Sequence, residues 1–371
     1  MKKTLIALNV ACAAGAAMLA MAVSSGPAAA EEVVNVYNWV DYIGETTTED
    51  FTKETGIKVV YDTYDAAETE EAKVLAGHSG YDVVLHSGSQ MPKFIAAGAF
   101  HKIDKAKMPN WKHLDPTILK ALENWDPGVQ YSVPYMWGTT GITYNLDMVK
   151  ERLGDNAPLD SMAMIMDPKY ASKLSDCGIS VLESPRDVIP MVLAYLGLDP
   201  NSENPADYQK VVEAFKPVRK YIKTFDSDNY LNALPNKELC VVNDWSGDYA
   251  TATDRASKAG VKINLAYYVP KTGSPLWFDA WAIPADAPHL DNAYKFLNYL
   301  MDPEVIAKCT NFTYYANANK DATPYVDKAI LDDPAVYTPP EVVKRLWTSK
   351  SLSEKATRAM TRAWTRIKTG S

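Results

Sequence analysis

Long apolar runs are scarce in this sequence, and the only one lies at the N-terminus. Although 47% of the residues are hydrophobic, no stretch after Val23 approaches the roughly 18 apolar residues that a membrane-spanning helix requires. We therefore expect the chain beyond its N-terminal segment to be soluble and not inserted into a membrane.

Cysteine and histidine are also scarce, which limits the metal and redox chemistry that the chain can support. Only four cysteines occur, and none has the CxxC spacing of zinc or thioredoxin-type sites. The scattered histidines, for which we predict surface or loop positions, are His78, His86, His101, His113 and His289. The sequence predicts no metal site and no cofactor.

The motifs of common catalytic sites are missing as well. The sequence has no HExxH, P-loop, GxGxxG or GxSxG, which mark metalloproteases, nucleotide-binding proteins and serine hydrolases. It also has no internal repeat, low-complexity tract or Gly/Ser linker. These absences favour a binding protein over an enzyme.

Residues 1–30 have the pattern of a secretory signal peptide. Met1 to Lys3 is basic, Thr4 to Val23 is almost wholly apolar or small, and Ala28 to Ala30 offers a cleavage site. The Ala-rich run with its small-residue end favours removal over a permanent membrane anchor. We therefore predict an exported protein of about 340 residues.

The exported product is acidic. Loss of Lys2 and Lys3 lowers the number of basic residues from 38 to 36, against 46 acidic residues, which gives a net charge of −10. This balance argues against nucleic acid or an anionic membrane surface as a partner. It is compatible with a cationic ligand.

Three cysteines remain after export. Cys12 leaves with the signal peptide, and lipid modification there is disfavoured because Asn9 stands where an apolar residue is expected. Cys177 and Cys240 each open a short apolar strand, so we predict a disulfide between them in an oxidising compartment. In the chain-entropy model, closing such a loop stabilises a fold by roughly 4 kcal/mol. Cys309 lies in a helical pattern and is predicted to be a small core residue.

Strand and helix patterns alternate along the chain, which predicts an α/β fold around mainly parallel sheets. The predicted strands cover residues 33–37, 57–64, 81–85, 177–182 and 239–243, and the predicted helices cover 49–54, 68–76, 91–97, 187–196 and 208–223. Asp65 is available as a cap for the second helix. From Arg345 the chain is basic with a helical period, and Trp347 and Trp364 are predicted to pack it onto the body. The length exceeds the roughly 250–300 residues at which single cores divide, so two lobes are expected.

Tryptophan and aspartate occur together in three turn-like groups. Trp39 to Tyr42 and Asp244 to Asp248 follow predicted strands, and ligands bind at the carboxyl ends of strands in open α/β sheets. The third group, Trp277 to Trp281, falls in a connecting segment. A carboxylate offsets the several kcal/mol that an unpaired buried ammonium costs, and Trp faces attract cations by ~0.5–2 kcal/mol each. The groups therefore predict an ammonium ligand with an apolar stem.

At these residues the exported chain resembles, essentially from end to end, the periplasmic polyamine-binding proteins of ABC importers, the putrescine/spermidine group. The stretches that carry the resemblance are Val36 to Ile43, Lys53 to Asp62, Pro134 to Asn145, Trp245 to Asp248 and Tyr315 to Lys320. The resemblance implies a monomer with the type II periplasmic-binding-protein fold, two α/β lobes joined by crossover strands. Ligand would bind in the cleft between the lobes and favour a hinge-closed form, which a membrane permease then recognises.

The resemblance also implies a division of the chain. We place lobe one at residues 31–135 plus 278–320 and lobe two at residues 136–277, with residues 321–371 as a C-terminal helical segment that packs back onto the body. The crossovers are expected near Pro134–Thr140 and Tyr268–Asp279.

Ten ligand-binding residues are implied by position. They are Trp39, Asp41, Tyr42, Ser87, Asp187, Trp245, Asp248, Trp277, Asp279 and Tyr315. The tryptophans and Tyr315 would form an aromatic box around the alkyl chain. Asp248 and Asp279 would pair with one ammonium end. Asp41, Ser87 and Asp187 would serve the other end, partly through water.

The preferred polyamine stays open between putrescine and spermidine, with agmatine and cadaverine as further alternatives. The best-known putrescine binders of the group carry Glu at the position of Asp187, so the shorter side chain leaves room for water or a longer ligand. Trp277, where the group has Phe or Trp, favours spermidine. Ser89 and Ser184 favour a diamine because they add no charge for an internal amine.

Two other classes of protein stay open. The adjacent Tyr314 and Tyr315 are compatible with a ferric-ion binder, because phenolates ligate iron. An exported hydrolase with paired carboxylates is the other alternative, since any acid-rich chain offers such pairs.

Overall fold

The computed structural model describes residues 32–370. The predicted signal peptide lies outside the described residues. The strands are β1 (Val33–Trp39), β2 (Lys58–Tyr64), β3 (Val83–Ser87), β4 (Val133–Asn145), β5 (Ile179–Val181), β6 (Thr224–Phe225), β7 (Val241–Trp245), β8 (Leu265–Tyr268), β9 (Ser274–Ala282), β10 (Ala316–Asn317) and β11 (Leu346–Trp347).

Sixteen α-helices occur in the same range. They are α1 (Thr47–Thr55), α2 (Ala67–Leu75), α3 (Met91–Ala96), α4 (Pro116–Leu122), α5 (Leu146–Leu153), α6 (Ala163–Met166), α7 (Pro168–Leu174), α8 (Pro185–Tyr195), α9 (Pro205–Phe215), α10 (Tyr230–Ala233), α11 (Asp248–Lys258), α12 (Leu290–Leu300), α13 (Pro303–Thr313), α14 (Lys328–Leu331), α15 (Pro340–Val343) and α16 (Glu354–Thr369). The predicted α/β fold is confirmed.

The strands follow the order β2-β1-β3-β9-β4-β7-β5-β6, with β10 and β8 paired to β4 and β11 paired to β9. The outer pairs are parallel, as strand–helix alternation predicts. The central pairs β3–β9, β9–β4 and β4–β7 are antiparallel. The expectation of mainly parallel sheets is therefore wrong for the centre. There the chain passes through β4 and returns through β9, so the two strands run in opposite directions.

Strand β4 joins two hydrophobic cores. Val133 to Thr139 pairs with β9 and β10, whereas Thr140 to Asn145 pairs with β7 and β8. Val133 belongs to one of two adjoining hydrophobic clusters, together called the first core here, whose buried members come from residues 34–136 and 278–336. Ile142 belongs to the second core, drawn from residues 142–252 and 356–367. The lobe boundaries derived from the sequence stay a prediction.

Two helix predictions were wrong in extent. The helix expected to reach Lys223 ends at Phe215, because Pro217 has no backbone N–H to continue the helical hydrogen bonds and its ring clashes with the preceding turn. The C-terminal helix begins only at Glu354, where the Ser353 hydroxyl accepts from a backbone N–H of the first turn. Before it, β11 pairs with β9, and Trp364 in the helix packs into the second core.

Asp65 and His86 differ from their predictions as well. The described structure gives α2 no side-chain cap, and its N-cap residue is Ala66. His86 was predicted at the surface, but it lies fully buried in β3 with its ring 5.5 Å from that of Phe100. Burial lowers the pKa of His86 to about 4, so the imidazole is neutral at pH 7.

The predicted disulfide between Cys177 and Cys240 is confirmed. Their Cα atoms lie 5.5 Å apart and the closed loop spans 63 residues. Cys177 lies shortly before β5 and Cys240 lies immediately before β7. These two strands are parallel neighbours in the sheet. Cys309 is buried in α13 and has no disulfide partner among residues 32–370.

Between residues 32 and 370, none of the helices has both the length and the apolar character needed to cross a bilayer.

Candidate functional site

A cavity with a volume of ≈ 160 Å³ opens between residues of the two cores. A cavity that holds a single water molecule needs only roughly 10–15 Å³, so this one has room for a small organic molecule. All ten residues singled out from the sequence line it. Their role as ligand contacts stays a prediction, but the structure brings every one of them to a single place.

Strand ends and helix starts supply half of these side chains. Trp39 and Trp245 are the last residues of β1 and β7, as the sequence indicated. Asp187 lies in the first turn of α8 and Asp248 is the first residue of α11. Backbone N–H groups at helix starts favour nearby negative charge. The arrangement therefore gathers acids and indoles at the same edge of the sheet.

The third Trp–Asp group lies in a strand and not in the connecting segment that was expected. Trp277 and Asp279 are both in β9. Because side chains two residues apart in a strand point to the same face, this placement directs both toward the cavity. Ser87, at the end of β3, lies directly opposite Asp279 in the β3–β9 ladder.

Aromatic rings form a contiguous wall of the cavity. The ring centroids of Trp277 and Tyr315 lie 5.4 Å apart at 59°, and Tyr42 meets Tyr315 edge-on at 5.2 Å. Trp39 packs on Tyr64 at 4.4 Å. The Trp277–Tyr315 and Tyr42–Tyr315 distances fall within the range of favourable ring contacts, so these rings support one another's orientation.

Two glycines allow these rings to lie against the backbone. Gly138 pairs with Trp277 in the β4–β9 ladder, and a Cβ atom at Gly138 would meet that indole at 2.6 Å. A Cβ at Gly247 would meet the ring of Tyr315 at 2.7 Å. Any larger residue at either position would displace a ring from the cavity wall.

Asp279 is a buried acid of the cavity whose pKa is strongly raised. Only 8% of the residue is exposed. Burial raises the pKa of Asp279 to about 8, and the charge of Asp187 adds to the shift. In the empty cavity at pH 7 this carboxyl is therefore mostly protonated, and a cation placed beside it would favour its ionised form.

Asp187 is held by two hydroxyl donors. The Thr140 Oγ1 hydroxyl donates to Asp187 Oδ1 at 2.7 Å, and the Ser184 hydroxyl donates to Oδ2 at 2.5 Å. Burial raises the pKa of Asp187, while these two hydrogen bonds act in the opposite direction. Thr140 belongs to β4, so the strand that joins the two cores also orients this acid.

Asp248 accepts hydrogen bonds from two tyrosines. The Tyr315 hydroxyl donates to Asp248 Oδ1 at 2.5 Å, and the Tyr230 hydroxyl donates to Oδ2. Burial raises the pKa of Asp248 to about 6, and both hydrogen bonds oppose the shift. Burial also raises the pKa of Tyr42 well above its usual value, with Asp279 and then Asp248 as the next causes. Asp248 and Asp279 therefore both lie near Tyr42.

Asp41 is already engaged by a base. Its carboxylate pairs with the Arg255 guanidinium at 2.7 Å. Sequence reasoning did not find Arg255, because 214 residues separate it from Asp41 and no local pattern links them. A ligand ammonium at Asp41 would have to share this carboxylate with the guanidinium.

Four further acids and a base line the cavity and were missed from the sequence. They are Asp65, Glu68, Glu183, Asp228 and Arg186. Asp65 follows β2 and Asp228 comes shortly after β6, so their position past strand ends was a usable signal. Within the described chain, eight carboxyl side chains and one arginine line the cavity. Arg186 is itself paired with Glu71 at 2.8 Å, so the cavity favours cations.

The C-terminal segment reaches the cavity at Ser349, where it contacts Trp125. This tryptophan lines the cavity, and its indole N–H donates to the Ser349 carbonyl at 2.8 Å. Ser349 also lines the cavity. No sequence signal pointed to either residue, because their contact spans 224 positions.

The paired tyrosines proposed as iron ligands separate in the structure. Tyr315 lines the cavity, whereas Tyr314 ends α13 in a left-handed conformation and is not among the described residues that line it. Residues 32–370 also contain no group of three His, Cys, Asp or Glu side chains that could hold a metal ion.

Comparison with known proteins adds an independent finding. The family model for bacterial extracellular solute-binding proteins matches residues 46–338. The chain is similar to the putrescine-binding periplasmic protein SpuD of Pseudomonas aeruginosa, with 47% identity over 369 residues that cover 99% of this chain and 98% of that protein. It is 45% identical to the putrescine-binding periplasmic protein PotF of Escherichia coli over 352 residues, 94% of this chain and 95% of the relative.

A solved structure shares the fold of this chain. The putative spermidine/putrescine ABC transporter from Listeria monocytogenes superimposes with a TM-score of 0.81 at 28% identity. The match covers 91% of this chain and 99% of the other.

Proposed function

Because the chain belongs to the bacterial extracellular solute-binding proteins, we propose that it captures a putrescine- or spermidine-type polyamine and delivers it to the permease of an ABC importer. The observation that carries the proposal is a cavity with eight carboxyl side chains, one paired arginine and a wall of aromatic rings. Two relatives at 47% and 45% identity are named as putrescine-binding periplasmic proteins. The site would act in the periplasm, before transport.

Each part of a polyamine has a counterpart in this cavity. Asp248 and Asp279 would compensate one ammonium, because a desolvated cation needs a paired carboxylate. Asp187, held by two hydroxyl donors, would face the other end together with Asp41, which must share its charge with Arg255. The indoles and Tyr315 would cover the methylenes and attract the cationic ends.

Closure of the cleft around the ligand would produce the form that the permease recognises. Strand β4 runs from the first core into the second, so small rotations about its centre would change the distance between the two sides of the cavity. A ligand that touches both sides stabilises the closed form by its differential affinity.

We further propose that binding occurs without turnover. The relatives bear the names of binding proteins, and Asp187 and Asp248 already accept hydrogen bonds from protein hydroxyls. Stoichiometric binding with unchanged ligand after long incubation supports this proposal. Sustained product formation from an amine or glycoside would support the hydrolase alternative.

A thermal-shift panel followed by calorimetry tests the function directly. The panel contains putrescine, cadaverine, spermidine, spermine and agmatine, with amino acids and sugars as controls. Binding raises the unfolding midpoint by mass action, so we expect shifts with polyamines and none with the controls. No shift with any aliphatic di- or triamine at millimolar concentration would overturn the proposal.

Matched variants locate the site. We expect Asp279→Asn and Asp248→Asn each to weaken polyamine binding ~10–100-fold, because each removes a charge-assisted hydrogen bond. The control is Asp291→Asn, whose carboxylate lies in α12, is 82% exposed and pairs with Lys107. Unchanged affinity in both cavity variants would refute the placement of the ammonium, even if the wild-type protein binds polyamines.

A further inference from the structure

Asn38 is completely buried just beneath the cavity and is not among the described residues that line it. Its amide nitrogen donates to the Tyr42 carbonyl at 3.0 Å and to the Tyr61 hydroxyl at 2.8 Å. Its amide oxygen accepts from the backbone N–H of Trp39 at 2.8 Å. The side chain therefore ties together both ends of the turn that leaves β1.

This turn carries three of the predicted ligand residues within four positions. Trp39, Asp41 and Tyr42 all line the cavity. Asp41 adopts a left-handed backbone conformation with φ 54°, which non-glycine residues rarely populate and which persists only when the surroundings determine it. The turn thus depends on contacts outside itself.

A second side chain donates a hydrogen bond to the Tyr42 carbonyl. The Tyr135 hydroxyl, from β4, donates to the Tyr42 carbonyl at 3.1 Å. Tyr135 is also buried and outside the described lining of the cavity. One carbonyl oxygen, at the end of the turn, therefore receives two donors that come from different strands.

We propose that Asn38 and Tyr135 are positioning residues of the ligand site, which hold the Tyr42 carbonyl and thereby set the place of Asp41 and Tyr42 in the cavity. The inference rests on the proposed polyamine function. An amide is the group that the position requires, because it supplies two donors to Tyr42 and Tyr61 and one acceptor to Trp39. An ionised aspartate would supply no donor there, and an apolar residue would remove all three bonds and leave the Tyr42 carbonyl with the Tyr135 hydroxyl as its side-chain donor.

Binding of putrescine and spermidine by Asn38→Ala and Tyr135→Phe tests the inference. We expect affinity to fall about tenfold in each variant, from the loss of one or two hydrogen bonds that hold the turn. The matched control is Tyr208→Phe: Tyr208 is buried in α9 of the second core and its hydroxyl donates to the Ser202 carbonyl at 2.6 Å, and neither residue is among the described residues that line the cavity. This variant should lose stability while its polyamine affinity stays unchanged.

A double-mutant cycle separates positioning from a general loss of stability. Because both positioning residues act through the turn, we expect Tyr135→Phe to cost much less affinity in an Asp41→Asn background, and its full cost in an Asp187→Asn background. Equal costs in both backgrounds, or wild-type affinity in Tyr135→Phe, would overturn the inference. Tyr135→Phe keeps the buried ring, so the test holds even if Asn38→Ala does not fold. A wild-type protein that binds no polyamine would refute the proposed function instead.

Discussion

At the scale of single residues, two buried carboxyl groups illustrate different uses of burial. Asp279 faces the cavity, where a cation would compensate its charge. Glu70, in α2, is fully buried, and neither of its carboxyl oxygens has a hydrogen-bond partner among the described residues. Burial raises the pKa of Glu70 well above its usual value, and the charge of Glu71 adds to the shift. Glu70 therefore opposes folding whenever it must ionise.

Glu70→Gln should stabilise the protein in a pH-dependent way. A carboxyl with a raised pKa contributes its full stability below the unfolded-state pKa and loses it as the pH rises toward the folded-state value. Glutamine does not titrate, so we expect the variant to be more stable than the wild type by a margin that grows as the pH rises from 5 to 8.

Urea unfolding of the ligand-free protein at pH 5 and pH 8 measures this difference. Glu354→Gln serves as the control, because the Glu354 side chain is 89% exposed. A Glu70→Gln difference that is the same at both pH values would contradict the expectation.

At the scale of elements, the contact between β4 and β9 shapes the cavity wall. Gly138 lies opposite Trp277 in this ladder. A Cβ at Gly138 would meet Trp277 Cζ2 at 2.6 Å and Cη2 at 2.8 Å, and Ser246 Oγ at 2.7 Å. The strand pairing therefore accepts a tryptophan in the wall only because the residue across from it has no side chain.

Gly138→Ala should displace Trp277. We expect a loss of about 1–3 kcal/mol in stability from overpacking, together with weaker polyamine binding, as seen by denaturant unfolding and calorimetry. Phenylalanine lacks the two indole carbons that clash, so Gly138→Ala with Trp277→Phe should recover part of the lost stability, while the close contact with Ser246 Oγ remains.

The single variant Trp277→Phe is the reference for this pair. From the sequence we also predict that this variant changes the ratio of spermidine to putrescine affinity, because the smaller ring leaves more room in the cavity. If the double variant were as unstable as the two single variants combined, the clash would not be the cause.

At the scale of the whole molecule, an acidic chain brings eight of its 46 acidic residues to one cavity. The sequence has a formal net charge of −8 at pH 7, and eight carboxyl side chains of the described residues line the cavity. Like charges that close together raise one another's pKa. A polyamine would relieve this repulsion, so binding and proton release are linked.

Polyamine affinity should therefore rise with pH. The empty cavity holds Asp279 with a pKa of about 8 and Asp248 with a pKa of about 6, and an ammonium ligand favours the ionised forms. Primary amines keep their charge up to about pH 10, so tighter binding between pH 6 and pH 8 reflects proton release by the protein.

Calorimetry in buffers of different ionisation enthalpy counts the released protons. We expect close to one proton per ligand at pH 7, and a loss of most of this release in Asp279→Asn. An affinity that is constant from pH 6 to pH 8 would show that Asp279 does not meet the ammonium.

The sequence by itself determined the features that depend on local pattern or on the ends of strands. Alternation of strands and helices predicted the α/β fold, and the apolar strands that Cys177 and Cys240 open predicted their disulfide. All ten predicted residues reached one cavity. For Trp39, Ser87 and Trp245 the reason is physical, because strand ends in an open sheet converge on one edge. The full set of ten was implied by the resemblance to the polyamine-binding proteins.

Only the tertiary structure decided which side chains pair with one another. The antiparallel centre of the sheet, the bond from Tyr315 to Asp248 and the ion pair of Asp41 with Arg255 join residues far apart in sequence. The hydrogen bond from the Asn38 side chain to the Tyr42 carbonyl spans only four positions. It depends on the left-handed backbone conformation of Asp41 in the turn between them, which no periodic sequence pattern predicts. Such contacts arise when complete helices and strands pack against one another, and the local sequence pattern does not determine that packing.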